Sequence, residues 1–148
     1  MFALKENYPK ILVFIQFTLM GLIALLSKGF FSSFLSMGIF LLGAILGVWA
    51  LFHNKLGNFN IQPKMKEGAT LVTTGIYAFV RHPMYLSVLV MSFSFLLGSA
   101  TDIQSFLFLT LVVVLYLKAK REESLWMDEN EAYKDYKAKT KLFLPFVL

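Results

Sequence analysis

The sequence predicts an all-α integral membrane protein, with about four transmembrane helices and a cytoplasmic C-terminal helical segment lying at the membrane interface. Three observations carry that prediction. The 148 residues are 57% hydrophobic and 16% charged, with a mean hydropathy of +0.67, whereas soluble domains are roughly half apolar and a quarter charged. The apolar residues are gathered into four runs near the length that a bilayer core demands. The basic residues sit between those runs in an uneven pattern that assigns sides to the membrane.

Residues 1–10 are polar and carry Lys5 and Lys10, and an uncharged run broken by Gln16 and Thr18 follows at 11–26. A secretory signal also has a basic start and an apolar core, but no small-x-small cleavage site follows Leu26. The run reads as a first span. Lys28 and Gly29 make a turn, and 30–52 is a second uncharged run, long enough to cross with some tilt. Within it Gly38, Gly43 and Gly47, with Ala44, suit close approach of another helix, although glycine is also ordinary in membrane helices.

The longest polar segment, 53–82, interleaves His53, Lys55, Lys64, Lys66, Glu67 and Arg81 with Ile61, Leu71, Val72, Ile76 and Tyr77. About thirty structureless residues are unusual in a small protein, and long ordered loops tend to carry function. A third span is expected over 83–97, a turn at Gly98, Ser99, Thr101 and Asp102, and a fourth span over 103–117, about 22 Å long if helical. Lys118 is expected to lengthen it by snorkelling. The charged remainder is spaced by Leu125, Trp126, Tyr133, Tyr136, Leu142 and Phe143. It predicts an extension of the fourth helix, a break near 128–130 and an interfacial amphipathic segment. The whole chain, 1–148, reads as one membrane domain.

Lys and Arg number two in the N-terminal tail, one at the first turn, four in 53–82, none in 98–105 and seven from Lys118 onward. The positive-inside rule then places both termini and the long loop in the cytoplasm. Cysteine is absent, which removes disulfides, thiolate nucleophiles and thiolate metal sites. With only His53 and His82, and no HExxH spacing, no protein-held metal is expected. His53 reads as an interface residue, and Trp126 as an interfacial anchor.

One stretch organises the functional reading: residues 71–87, LVTTGIYAFVRHPMYLS. Pro83 suits the first position of a helix, where its missing N–H is not needed. The N–H groups of Met84, Tyr85 and Leu86 are then expected to lack intrahelical partners and to carry the positive end of the helix dipole. Such an end binds carboxylate or phosphate, with Arg81 and His82 beside it. The competing reading is that Tyr, Arg and His simply mark where a helix meets water. Past the fourth span lie Arg121, Glu122 and Glu123, which a hairpin of the third and fourth helices returns to the level of Arg81, His82 and Tyr85. Taken alone, the two glutamates also read as a solvated helix end.

The stretch FNIQPKMKEGATLVTTGIYAFVRHPMY resembles the isoprenylcysteine carboxyl methyltransferase family, within the wider group that includes phospholipid N-methyltransferases. The shared pattern is Gln62, then Leu71-Val72-Thr73-x-Gly75-x-Tyr77, then Arg81-His82-Pro83-x-Tyr85. A Glu-Glu pair, Tyr133-x-x-Tyr136 and the late Pro145 follow. The resemblance implies S-adenosylmethionine as cofactor, bound on the cytoplasmic side, and methyl transfer to a lipophilic acceptor. It implies a cofactor site built from 58–87 and 118–146. Gln62, Leu71, Val72, Tyr77 and the segment Arg81, His82, Pro83, Met84 and Tyr85 would line it, one of Glu122 and Glu123 would complete it, and Arg121 would face the acceptor. Two departures stand out. Ser87 occupies a position where the family often has glycine, and 127–131 lacks the family's Phe-Gly and is one residue shorter.

Transfer from a sulfonium is an in-line displacement, in which the protein aligns the acceptor and excludes water. A carboxylate acceptor is already ionised and needs only a cation such as Arg121 to position it. An amine acceptor must lose a proton, to Glu122, Glu123 or His82. A phospholipid amine therefore stays open as acceptor. So do two other classes: a sterol-reductase-like enzyme using NADPH, and a non-catalytic membrane adaptor.

Overall fold

A computed structural model describes residues 2–54, 68 and 70–144. Five helices follow in order: α1 (Phe2–Leu26), α2 (Phe34–Asn54), α3 (Pro83–Ser99), α4 (Asp102–Glu129) and α5 (Ala132–Lys139). Single 3-10 turns lie at Phe30–Ser32 and Gly75–Ala78. Among the described residues there is no strand, only an isolated parallel bridge between Val80 and Lys141. Three helical stretches, Asn7–Leu26, Phe34–Asn54 and Asp102–Glu129, are long and apolar enough to cross a membrane, and α3 is apolar but shorter.

The expected boundaries shift in two places. The polar start is not a tail, because α1 begins at Phe2 and passes through Pro9, which is buried. Residues 30–32 do not belong to the second span. They form a tight turn in which the Ser33 N–H donates to the Phe30 carbonyl at 3.3 Å. The fourth helix is 28 residues long in all and runs through the extension expected beyond 117. It starts on a Thr101 cap, whose hydroxyl accepts from the Gln104 N–H at 3.2 Å. It ends within the expected break, where the Asn130 N–H returns to the Trp126 carbonyl and the Asn130 side chain accepts from the Ala132 N–H.

Packing follows from which face of each helix is buried. On α1 the buried positions Leu12, Gln16, Leu19 and Ile23 recur in steps of four and three, the spacing of one helix stripe. This stripe meets Leu111, Val114, Leu115 and Ala119 of α4, with Leu96, Leu142 and Phe143 completing the core. Gln16 is the polar member of an otherwise apolar stripe. Outward residues such as Phe14, Leu25, Phe34, Phe52 and Phe106 are exposed and apolar, as a lipid-facing surface requires.

Helices α2 and α3 pack through small residues. A Cβ at Gly43 would lie 2.9 Å from the backbone nitrogen of Met91, and one at Gly47 would lie 2.5 Å from Ser87 Oγ. Ser87 is buried and donates to the Gly43 carbonyl at 2.7 Å. The serine thus fills the recess opposite Gly47 and satisfies its own hydroxyl, so its replacement of a smaller residue is accommodated by α2. Gly38 is different, with nothing within 4 Å of an added Cβ. At one end of the bundle the backbones of Gly29 and Gly98 touch, pinning the two turns together. Residues 70–82, the α4 extension and α5 gather at the opposite end.

Gly43→Leu is expected to lower the unfolding midpoint in detergent, since overpacking typically costs about 1–3 kcal/mol. Gly38→Ala, with open space around it, is expected to leave the midpoint unchanged or slightly raised. Equal losses in the two variants would contradict the packing described.

Candidate functional site

The loop entering α3 is held at both edges. Gly75 has φ of +60°, and an added Cβ there would meet the His53 ring at 2.5 Å, so glycine is required twice over. His53 is more than an interface residue, since its Nε2 lies 2.9 Å from Thr74 Oγ1 and ties the end of α2 to this loop. Ile76, Tyr77 and Val80 then turn inward against Ala50, with Val72 and Met84 packed beside them.

The chain after α5 lies parallel to residues 79–82 and is stitched to them. The Lys141 N–H donates to the Phe79 carbonyl at 3.1 Å, the Arg81 N–H to the Lys141 carbonyl at 2.8 Å, and the His82 N–H to the Leu142 carbonyl at 3.2 Å. Tyr136 of α5 donates its hydroxyl to the Tyr77 carbonyl at 2.7 Å. Trp126 stacks on Tyr133 at 6.1 Å between ring centres, so its ring seats α5 on α4.

Two adjacent glutamates of α4 point into different surroundings. Glu123 is fully buried. Its Oε1 accepts from Arg81 Nε at 2.5 Å, and its Oε2 lies 3.0 Å from Lys137 Nζ. Arg81 Nη1 reaches the carbonyls of Lys137 and Thr140 and the Thr140 hydroxyl. Loop, α4 and α5 thus meet on one buried ion pair. Glu122 keeps 21% of its side chain exposed, lies 3.4 Å from His82 Nδ1, and accepts from the Tyr85 hydroxyl. His82 and Tyr85 stack in parallel at 5.4 Å, with Phe143 edge-on to both. Burial, reinforced by the nearby Glu122 charge, pushes the Tyr77 phenol well above its ordinary range, so it stays a neutral hydrogen-bonding group.

His82 Nε2 is buried without a hydrogen bond among the described residues and faces Glu123 Oε1 at 3.9 Å. Pro83 is the first residue of α3, as expected. The N-terminal N–H groups do not all stay open, however. The His82 carbonyl accepts from both Tyr85 at 3.0 Å and Leu86 at 3.1 Å, because the first turn tightens to a 3-10 bond. Of the three groups expected to be open, only the Met84 N–H lacks a backbone acceptor among the described residues.

The structure therefore gathers Tyr77, His82, Pro83, Met84, Tyr85 and Glu122 on one side, and places Arg81 and Glu123 together in the ion pair behind them. Leu71 and Val72 are half-buried at the loop's start. Arg121 is turned towards α1, its guanidinium 5.7 Å from the centre of the Tyr8 ring. Gln62 and Pro145 lie outside the described residues. Lys118 does not snorkel: it is 1% exposed, with Nζ 2.5 Å from Gln16 Oε1 and 5.0 Å from the centre of the Tyr85 ring. Lys137, Thr140 and Gln16 were not picked out from the sequence. The available signal was that Lys118 stands four residues before Glu122, on the same helix face, while Gln16 interrupts an apolar run.

Apolar helices bearing a buried charge cluster at one end define a helical membrane protein with an enzyme-like polar site. The sequence model of the isoprenylcysteine carboxyl methyltransferase (ICMT) family matches residues 35–128, and the chain belongs to that family. It is accordingly a membrane methyltransferase, of a family that acts on lipophilic acceptors. No individual curated protein matches the chain.

Arg81→Met is expected to destabilise the fold by about 3–5 kcal/mol, since it strands a buried carboxylate. Limited proteolysis should then cut first within 130–144, where the lost contacts lie. A variant as resistant there as the wild type would count against the ion pair as the anchor of this segment.

Proposed function

We propose that the protein transfers a methyl group from S-adenosylmethionine to a lipophilic acceptor at the cytoplasmic membrane face, with Glu122 as the carboxylate of the cofactor pocket. Family membership supplies the reaction class. The observation that carries the residue assignment is the contrast between the glutamates: both oxygens of Glu123 face cations of the protein, while Glu122 is partly open beside Tyr85, His82 and Tyr77.

The donor set fits the cofactor. A partly exposed carboxylate suits ribose hydroxyls, the Met84 N–H at the start of α3 suits a carboxylate, and tyrosine faces suit a sulfonium. When bound, S-adenosylmethionine supplies an electrophilic methyl group. Gln62, Leu71 and Val72 complete the proposed lining. Arg81 belongs to the same segment but acts from behind, by fixing Glu123 and the chain at Thr140. Because Arg81 is engaged there, it is not available for the pyrophosphate that a nicotinamide cofactor would bring.

The protein's remaining task is alignment and exclusion of water. The Tyr77, Tyr85 and Phe143 rings wall the pocket, and Glu122 orients what lies in it through hydrogen bonds. An apolar acceptor would reach it laterally from the bilayer. A carboxylate acceptor would need only a cation, for which Arg121 on the α1 side is our candidate. An amine would pass its proton to Glu122 or His82.

Glu122→Gln is expected to weaken S-adenosylhomocysteine binding by at least about tenfold, or about 1.4 kcal/mol, with an unfolding midpoint near that of the wild type. Calorimetry on the purified variant measures this, and unchanged affinity would reject Glu122 as the pocket carboxylate. Incubation with labelled S-adenosylmethionine and a panel of prenylcysteine and ethanolamine lipids, read by product mass, should label one lipid class. Labelling of none would remove the acceptor proposal.

A further inference from the structure

Lys118 and Gln16 form a polar pair that neither the family match nor the proposed pocket explains. Lys118 is buried among apolar residues of α1 and α4, with Leu115 and Ala119 beside it on its own helix. An ammonium in such surroundings is costly unless it is closely partnered, and a charged residue at membrane depth marks a functional position by default. Its partners are specific. Gln16 Oε1 accepts from Nζ at 2.5 Å, the Tyr85 ring lies under the ammonium at 5.0 Å, and Glu122 follows four residues later on the same face. Tyr85 in turn donates its hydroxyl to Glu122. A continuous polar path therefore runs from α1 through Lys118 to the two residues at the centre of the proposed pocket.

The family model begins at residue 35, so α1 lies entirely outside the matched region, yet it supplies Gln16. We infer that Gln16 and Lys118 are positioning residues for methyl transfer: α1 holds the ammonium beneath Tyr85, and the ammonium holds the Tyr85–Glu122 pair in its binding geometry. The inference rests on the reading of that pair as part of the cofactor pocket. Gln16 suits the task because a neutral amide accepts from the ammonium without cancelling its charge. The charge stays available to the π face of Tyr85 and to the Glu122 carboxylate. Leucine at 16 would fit the stripe of Leu12, Leu19 and Ile23 but offer no acceptor.

A purely structural role and a positioning role separate experimentally. Replacing a buried ion by an apolar side chain of similar length is often neutral or stabilising when its partner is removed as well. The test is a double-mutant cycle of Gln16→Leu, Lys118→Met and the pair, in the full chain in detergent. Each protein is assayed for its unfolding midpoint, for S-adenosylhomocysteine affinity and for kcat and KM towards S-adenosylmethionine.

The expected result is that the double variant keeps or raises the midpoint, Lys118→Met alone lowers it slightly by stranding the Gln16 amide, and both weaken affinity by about tenfold, with the loss in KM rather than kcat. Gln16→Leu should weaken affinity by about threefold alone and add nothing once Lys118 is gone. Unchanged affinity in folded Lys118→Met, or additive effects of the two changes, overturns the inference. If Lys118→Met does not fold, Gln16→Asn, too short to reach Nζ, is assayed in its place, and unchanged affinity there is equally decisive. Should the wild type itself not bind S-adenosylhomocysteine, the cofactor reading fails first and this inference falls with it, an outcome distinct from a silent mutant.

Discussion

A carboxylate buried at the end of an apolar helix has to be paired, and the pairing of Glu123 organises one end of this protein. Arg81 reaches it from the loop before α3, and Lys137 reaches it from α5. The same guanidinium also holds the carbonyls of Lys137 and Thr140. Three segments distant in sequence are therefore fixed by one charge whose desolvation would be costly without all its partners. Once they are fixed, the chain after α5 lies along residues 79–82, and the backbone leading into α3 has its hydrogen bonds met.

With Glu123 engaged, its neighbour is left to do something else. Glu122 sits beside stacked His82 and Tyr85 rings, partly open and hydrogen-bonded. This is a division between a residue that builds the end of the bundle and one left partly exposed beside two aromatic rings. The proposed pocket inherits its rigidity from the ion pair behind it, as a positioned site requires.

Elsewhere the fold depends on close approach. Between α2 and α3 the attraction comes from backbone proximity at Gly43 and Gly47 and from one buried hydroxyl at Ser87, which suits a bilayer, where apolar burial alone does not drive helices together. Between α1 and α4 the contact is a stripe of large apolar residues interrupted by Gln16 and Lys118. One helix pair is built for proximity, and the other carries a polar path towards the proposed site.

Much of this was readable from the chain. Hydropathy marked where the apolar helices lie, because a bilayer imposes length and composition on any segment that crosses it. The RHP motif with its later Glu-Glu pair marked the family. Helix ends were less visible. The polar start of α1 is stabilised by neighbours in space, which hydropathy does not record. Least visible were the separate roles of Glu122 and Glu123, the burial of Lys118 and the part played by Gln16. Consecutive residues on a helix point about 100° apart, so two identical side chains side by side in sequence face different neighbours. Which neighbours those are depends on how α1, α5 and the loop pack around α4.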